Sequence, residues 1–255
     1  GTAAASIATL LESNTPVDAV IGPSSSLTAL NHLDTLVTAG IATCSPTATA
    51  IALDDFPDNR LFFRTIPSDS LQAVAIADLT ERTGLQNVAV VAIDDAYGRP
   101  FAQSVEEALA GGTTSMDDVQ EYLFVRADGD IASKAQAVAD SDARVVIVLA
   151  GSDDAAAFLE ALDDTDIESI RNVIVNDTLR EPGITQRIEA LDPALRSLIQ
   201  GVAPQAQSSD PDRPFDPPGL FAVHAFDCVN LIALAAYAAD SDDPADFANQ
   251  IPALT

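Results

Sequence analysis

Lysine is almost missing from this sequence. Lys134 stands alone beside eleven arginines, and against 39 acidic residues the basic side chains leave a net charge of −27. Affinity for nucleic acid comes from Lys and Arg neutralising phosphates, so this balance excludes ordinary nucleic-acid binding. It argues equally against docking on an anionic membrane surface. An acidic, lysine-poor, alanine-rich composition suits a salty or extracellular setting, and a high-GC genome favours it too. Histidine is scarce as well: His32 and His224 are the only two, and both read as partly buried structural residues. The two cysteines, Cys44 and Cys228, cannot make a disulfide framework and lack the C-x-x-C spacing of a zinc or redox site. They are either two small buried hydrophobes or one long-range bridge in an oxidising compartment. No run of about 18 apolar residues is present, so no membrane-spanning segment is expected. The stretch Leu231–Ala239 is too short and reads as part of a longer amphipathic helix. Gly1-Thr2-Ala3 reads as a trimmed start, so the lack of a signal peptide is uninformative.

Several chemical motifs are also missing. There is no G-x-G-x-x-G after a strand and no G-x-x-x-x-G-K-[ST], which removes the usual dinucleotide and nucleotide phosphate sites. Gly22-Pro23-Ser24-Ser25-Ser26 resembles a nucleophile elbow but ends in Ser26, where the sharp turn needs glycine. The acidic pairs, such as Asp94-Asp95 and Asp153-Asp154, read as solvated loops and helix starts. Asn176-Asp177-Thr178 matches a glycosylation sequon, a weak three-residue pattern. No catalytic residue, cofactor site or metal site is expected.

What is present is a core and a rhythm. Hydrophobic residues make up 47% of the 255 positions and mean hydropathy is +0.17, which supports a folded chain of one large domain or two ordinary lobes. Helices are predicted over Ala3–Glu12, Leu27–Thr38, Asp69–Thr83, 98–110, 131–140, 154–162 and near 183–191. Strands are predicted at 17–21, 41–44, 88–93, 119–125, 145–149, 173–175 and 198–202. Val88–Ile93 is a continuous apolar run, the mark of a strand covered on both faces. Strands alternating with helices of this length imply βαβ units and a mostly parallel α/β sheet. Ala203–Gly219, with five prolines among Gln, Ser and Asp, reads as a linker or crossover. A long helix over 221–239 and a short one begun by Asp243-Pro244 follow.

Hydroxyl groups gather at strand ends. Gly22–Ser26 follows one strand and leads into a helix, and Ser45-Pro46-Thr47-Ala48-Thr49 follows the next. Open α/β sheets bind ligands beyond the carboxyl ends of their strands, and a helix N-terminus bearing serine suits a carboxylate. One such loop is more simply a cap or turn; two at one sheet edge favour a binding site.

These residues resemble the branched-chain amino-acid-binding receptors of ABC importers. The likeness is carried by Val20–Ser26, Gly40-Ile41, Ser45–Thr49, Phe63–Asp69 with Gln72, and Tyr97-Gly98. It covers most of the chain and is strongest over 17–110. The resemblance implies the type I periplasmic-binding fold: two doubly wound, Rossmann-like lobes joined by hinge crossovers and closing on a ligand. Lobe 1 would be 1–66 plus 204–255, and lobe 2 would be 67–203. It implies that Ser26 binds the ligand carboxylate, that Thr49 holds carboxylate and ammonium, and that Thr47 adds a neighbouring contact. Tyr97 would pack on the ligand from the second lobe. Asp177 would take the ammonium, being shorter than the Glu of leucine binders. Ser152 stands where that group has an aromatic, implying a differently shaped pocket. Cys44 and Cys228 would fall in the same lobe, which makes a bridge possible.

Relative to that family a leading strand–helix–strand and trailing strands are missing, so the chain reads as truncated at both ends, with 203–220 short of a helix. The expected function is a non-enzymatic, monomeric, extracytoplasmic receptor, periplasmic or lipid-anchored at the cell surface. It would bind an amino acid or similar small carboxylate and partner an ABC permease. The alternatives are the sensor domain of an extracellular receptor and, remotely, a serine hydrolase pairing Ser26 with His32 or His224.

Overall fold

The computed structural model describes residues 2–13, 17–126, 129–204 and 221–253. The chain divides into two compact units, the first comprising residues 1–67 with 206–255 and the second residues 68–205. Most of the proline-rich stretch expected to be a linker, 205–220, lies outside the described residues, as does its expected shortening by a helix.

Unit 1 is built on three parallel strands in the order β1 (Ala19–Ile21), β2 (Ala42–Ser45) and β3 (Phe62–Arg64). Helix α1 (Thr2–Leu11) leads into β1, and α2 (Ser26–Thr38) connects β1 to β2. Every residue of β2 is buried, as a central parallel strand must be. After unit 2 the chain returns with α9 (Ala222–Ala239) and α10 (Pro244–Phe247). Ala42 packs with Ala235, Phe247, Ala248 and Ile251 in the core of this unit.

Unit 2 carries five parallel strands, β4 (Val88–Ile93), β5 (Val119–Phe124), β6 (Val145–Leu149), β7 (Asn172–Val175) and β8 (Ile199–Gly201). Their order is β5-β4-β6-β7-β8. The intervening helices are α3 (Asp69–Thr83), α4 (Gly98–Ala110), α5 (Asp130–Ala139), α6 (Ser152–Asp163), α7 (Pro182–Ala190) and the one-turn α8 (Pro193–Arg196). The apolar runs of β4 and β6 are buried at every position. Phe124 stacks on Phe158 at a centroid distance of 5.9 Å, and each such fully buried ring contributes about 2–3 kcal/mol. Helix α3 shows why its limits were legible: Ser68 accepts the Ser70 N–H at its start, and Gly84 takes a left-handed φ of 66° at its end.

Three expectations are corrected. The first strand begins at Ala19 rather than Val17. Phe62–Arg64 forms a strand and Pro193–Arg196 a helix, both too short for their periodicity to register. Finally, α9 is apolar on both faces rather than amphipathic. Its 18 residues have a mean hydropathy of 1.5, long and apolar enough by length and composition to cross a membrane. Asp227, the one charged residue within it, interrupts the run, and the mean is 1.5 with it included. One face of α9 is tied to the sheet of unit 1 through Cys228, while Phe226, Val229, Leu234 and Tyr237 are exposed.

Candidate functional site

In unit 1 the hydroxyl loops do meet at the carboxyl edge of the sheet. Gly22 leaves β1 at a φ of 137°, open to glycine and strained for other residues. Ser25, not Ser26, caps α2 by accepting the Thr28 N–H at 3.1 Å. Ser26 Oγ instead accepts the Ala50 N–H at 3.1 Å. Ser45 Oγ donates to Pro23 O and Thr47 Oγ1 to Ser24 O, each at 2.7 Å. The loops after β1 and β2 are therefore stitched to each other by the hydroxyls that the sequence singled out. Arg64, at the end of β3, adds a clamp that sequence reasoning did not single out: its guanidinium donates to Ala48 O and Ala50 O and pairs with Asp54. Thr49, the last hydroxyl residue of this loop, is buried at 6% exposure.

Behind this edge, Cys44 at the end of β2 and Cys228 of α9 form a disulfide, with Cα atoms 5.6 Å apart. Thr65 Oγ1 donates to His224 O at 2.7 Å, and His224 Nδ1 lies 3.0 Å from Thr65 O. These bonds account for His224 as a structural residue. They lend the hydrolase arrangement no support. Ser26 hydrogen-bonds Ala50, His224 hydrogen-bonds Thr65, and His32 lies six residues along α2 from Ser26, about 240° round the helix and about 9 Å along it. Among the described residues neither histidine is hydrogen-bonded to Ser26.

Unit 2 brings Tyr97, Ser152 and Asp177 to one sheet edge, because they follow β4, β6 and β7, three adjacent parallel strands. Asp95 Oδ1 accepts the N–H groups of Tyr97 and Gly98, at 2.8 and 3.0 Å, and fixes the turn into α4. Gly98 is required there: a Cβ would sit 2.1 Å from Ile93 O. The Tyr97 ring packs edge-on to Phe101, and its hydroxyl accepts from Asn176 Nδ2 at 2.9 Å. Ser152 opens α6 and is half-buried. Arg126, after β5, bridges Asp154 of α6 and, at 3.7 Å, Asp95.

Asn176 was legible only as a sequon, yet it is 1% exposed. Its amide donates to Tyr97 and Ala150 O while its carbonyl accepts from Thr178, so in the folded protein it is closed to glycosylation. Its neighbour Asp177 is 2% exposed. Burial pushes that carboxyl up to about 6, against the opposing pull of the Gln72 amide, the local N–H groups and Arg180. Gln72 is itself held by donating to Val202 O at 2.6 Å. Asp177 Oδ1 has no hydrogen-bond partner among the described residues. Asp177 also borders a pocket of about 510 Å³ within unit 2, walled by Leu179, Ile188, Gln200 and Val202 among others. The family resemblance pointed to Asp177; its unsatisfied oxygen had no signal in the sequence.

The description "Receptor family ligand binding region" belongs to the family model that matches residues 1–253. The chain is similar to glutamate receptor 3.1 of Oryza sativa subsp. japonica, 30% identical over 190 residues, which is 72% of this chain and 19% of that one. It is also similar to the extracellular calcium-sensing receptor of Homo sapiens, 30% identical over 93 residues, covering 36% of this chain and 9% of that receptor. The chain thus spans a fifth or less of these relatives. Two solved structures superpose on 98% of it. An extracellular ligand-binding receptor from Rhodopseudomonas palustris HaA2 has a TM-score of 0.77 at 19% identity, over 74% of that chain. An ABC transporter substrate-binding protein from Desulfitobacterium hafniense has a TM-score of 0.70 at 21% identity, over 73% of that chain. At such identities the likeness shows the fold, an α/β architecture of parallel sheets shared with type I periplasmic-binding proteins.

Proposed function

Because the chain belongs to the family of receptor ligand-binding regions, we propose that it is a non-enzymatic, extracytoplasmic receptor domain for an amino acid or similar small carboxylate. The observation that carries this reading is Asp177, a buried acid at a strand-end edge with one oxygen lacking a donor. A buried carboxylate is costly unless it is matched, and a ligand ammonium supplies the match. Within unit 1, the hydroxyl of Thr49 and the first turn of α2 are donors suited to a carboxylate. Tyr97 offers a ring to pack on the ligand, and Ser152 leaves room where an aromatic residue would fill it. The disulfide supports an oxidising, extracytoplasmic location, periplasmic or at the cell surface with a lipid anchor.

Delivery to an ABC permease is the reading kept for its role, with branched-chain amino acids as the first ligands to try. A sensor domain is the second reading, favoured by the full-length glutamate and calcium-sensing receptors among its relatives. Titration calorimetry against amino acids and small carboxylates tests the shared core of both. One-to-one binding is expected, weakened about a hundredfold by Asp177→Ala. Absence of heat with every compound, or full affinity in the variant, refutes it.

A further inference from the structure

The geometry around Asp177 points to a second property, which rests on the reading just given: we propose that ligand uptake is coupled to release of a proton from Asp177. The carboxyl group lies at the start of the turn Asp177–Arg180, buried at 2% exposure, on a residue that lines the pocket of unit 2. The Gln72 side chain and the N–H groups of residues 177 and 178 attend the group, yet Oδ1 is left without a partner. The surrounding charges do little to rescue an anion there. Arg180 on its own turn is the cation that acts on it. From α6, Asp153 and Glu160 are committed to Arg187 of α7, and Asp154 is committed to Arg126. Helix α7 also brings Glu189, which lines the same pocket and has the wrong sign to help; from α3 it is the Gln72 side chain that acts on the group. Strands β7 and β8 bring no charge, only Asn172 and Gln200.

An acid in such surroundings keeps its proton more readily than one in water, consistent with a value of about 6. When an ammonium arrives, the balance changes. The O–H bond of the neutral acid breaks, its proton leaves to solvent, and the resulting carboxylate oxygen accepts an N–H from the ligand, whose own charge is unchanged. Linkage then fixes the sign. Binding is independent of pH well above 6, where the acid is already ionised. Below 6 the affinity falls by up to tenfold per pH unit, and one proton is released per ligand bound. Between pH 7.5 and pH 5 the loss is about tenfold.

Two measurements on the chain test this. Carbon-13 NMR of the ligand-free protein, with Asp177→Asn to assign the resonance, is expected to show Asp177 titrating near pH 6. Titration below about 4.5, the ordinary carboxylate range, overturns the coupling whatever binds. The second measurement is the thermal shift produced by an equimolar mixture of the twenty amino acids at pH 7.5 and pH 5. A larger shift at pH 7.5, lost when Asp177→Asn makes the two equal, supports the coupling. Equal shifts in the unaltered protein overturn the coupling while leaving the receptor reading intact. No shift at either pH overturns both.

Discussion

The two units satisfy their polar groups in opposite ways. Among the described residues unit 1 has three strands, and at its carboxyl edge Ser26, Ser45 and Thr47 bond the loops to one another, with Arg64 bracing the same stretch. Its fold is also closed covalently, through Cys44 and Cys228. Unit 2 has five strands, with β4 and β6 buried throughout. At its edge sits Asp177 with an oxygen unmatched. A larger core tolerates a poorly satisfied group, because the surrounding packing over-determines its position. A small sheet has no such reserve and uses covalent and hydrogen-bonded ties instead. The difference teaches which edge is held by its own groups and which one carries an unmatched oxygen.

The sharpest way to break this contrast is to open the disulfide. The bridge closes a separation of 184 residues, for which the chain-entropy account gives about 3–5 kcal/mol once the order of the intervening unit is allowed for. Paired Cys44→Ser and Cys228→Ser changes are expected to raise hydrogen exchange strongly in β2 and α9 and to leave β4 and β6 protected. Equal loss of protection in both units would show that the bridge is not a support particular to unit 1.

A smaller effect probes the edge of unit 2. Gly98→Ala places a methyl group 2.1 Å from Ile93 O, so the turn must shift, at about 2 kcal/mol. Tyr97 and its bond to Asn176 move with the turn. The expected result is a lower melting temperature together with weaker ligand binding. Gly183→Ala, which meets nothing within 4 Å, should leave both unchanged. If Gly98→Ala melts like the unaltered protein, the edge is more pliant than its close packing implies.

How much of this was legible beforehand follows from the range of each interaction. The run Val145–Leu149 and the Ser68 and Gly84 caps are local signals, and the corresponding elements formed where expected. Loop hydroxyls at strand ends were also visible, but their partners were not. Ser26 meets Ala50, and Thr47 meets Ser24, over separations of 24 and 23 residues, so sequence could not separate a stitch from a ligand contact. Asp177 posed the reverse problem. Its position after an apolar strand was visible, while the missing partner of Oδ1 is a fact of three-dimensional packing. The exposed side of α9 was misjudged for a related reason: hydropathy reports what a helix can bury, and only the packing reports which face is covered.

The smallest effect separates the two kinds of carboxylate within unit 2 itself. Glu81, near the end of α3, accepts the N–H groups of Thr113 and Thr114 at 2.9 Å and hydrogen bonds from both hydroxyls. Those donors, the Thr113 hydroxyl foremost, draw its carboxyl down to about 2. Glu81 is thus a satisfied anion where Asp177 is an unsatisfied one. Because the group is half-exposed at the surface, solvent screening reduces the gain to about 1 kcal/mol. A depressed carboxyl stabilises the fold fully above the ordinary carboxylate value of 4.5 and loses that contribution as pH falls toward 2. Glu81→Gln should therefore lower stability at pH 7 by about 1 kcal/mol in denaturant titrations, since its amide N–H₂ faces donors where an oxygen stood. The gap to the unaltered protein should close as the pH approaches 2. Asp177→Asn carries the opposite sign: it should stabilise the ligand-free protein at pH 7, and that advantage should shrink as pH falls below 6. If both variants shift stability in the same direction at pH 7, the contrast between a satisfied and an unsatisfied carboxylate fails at its root.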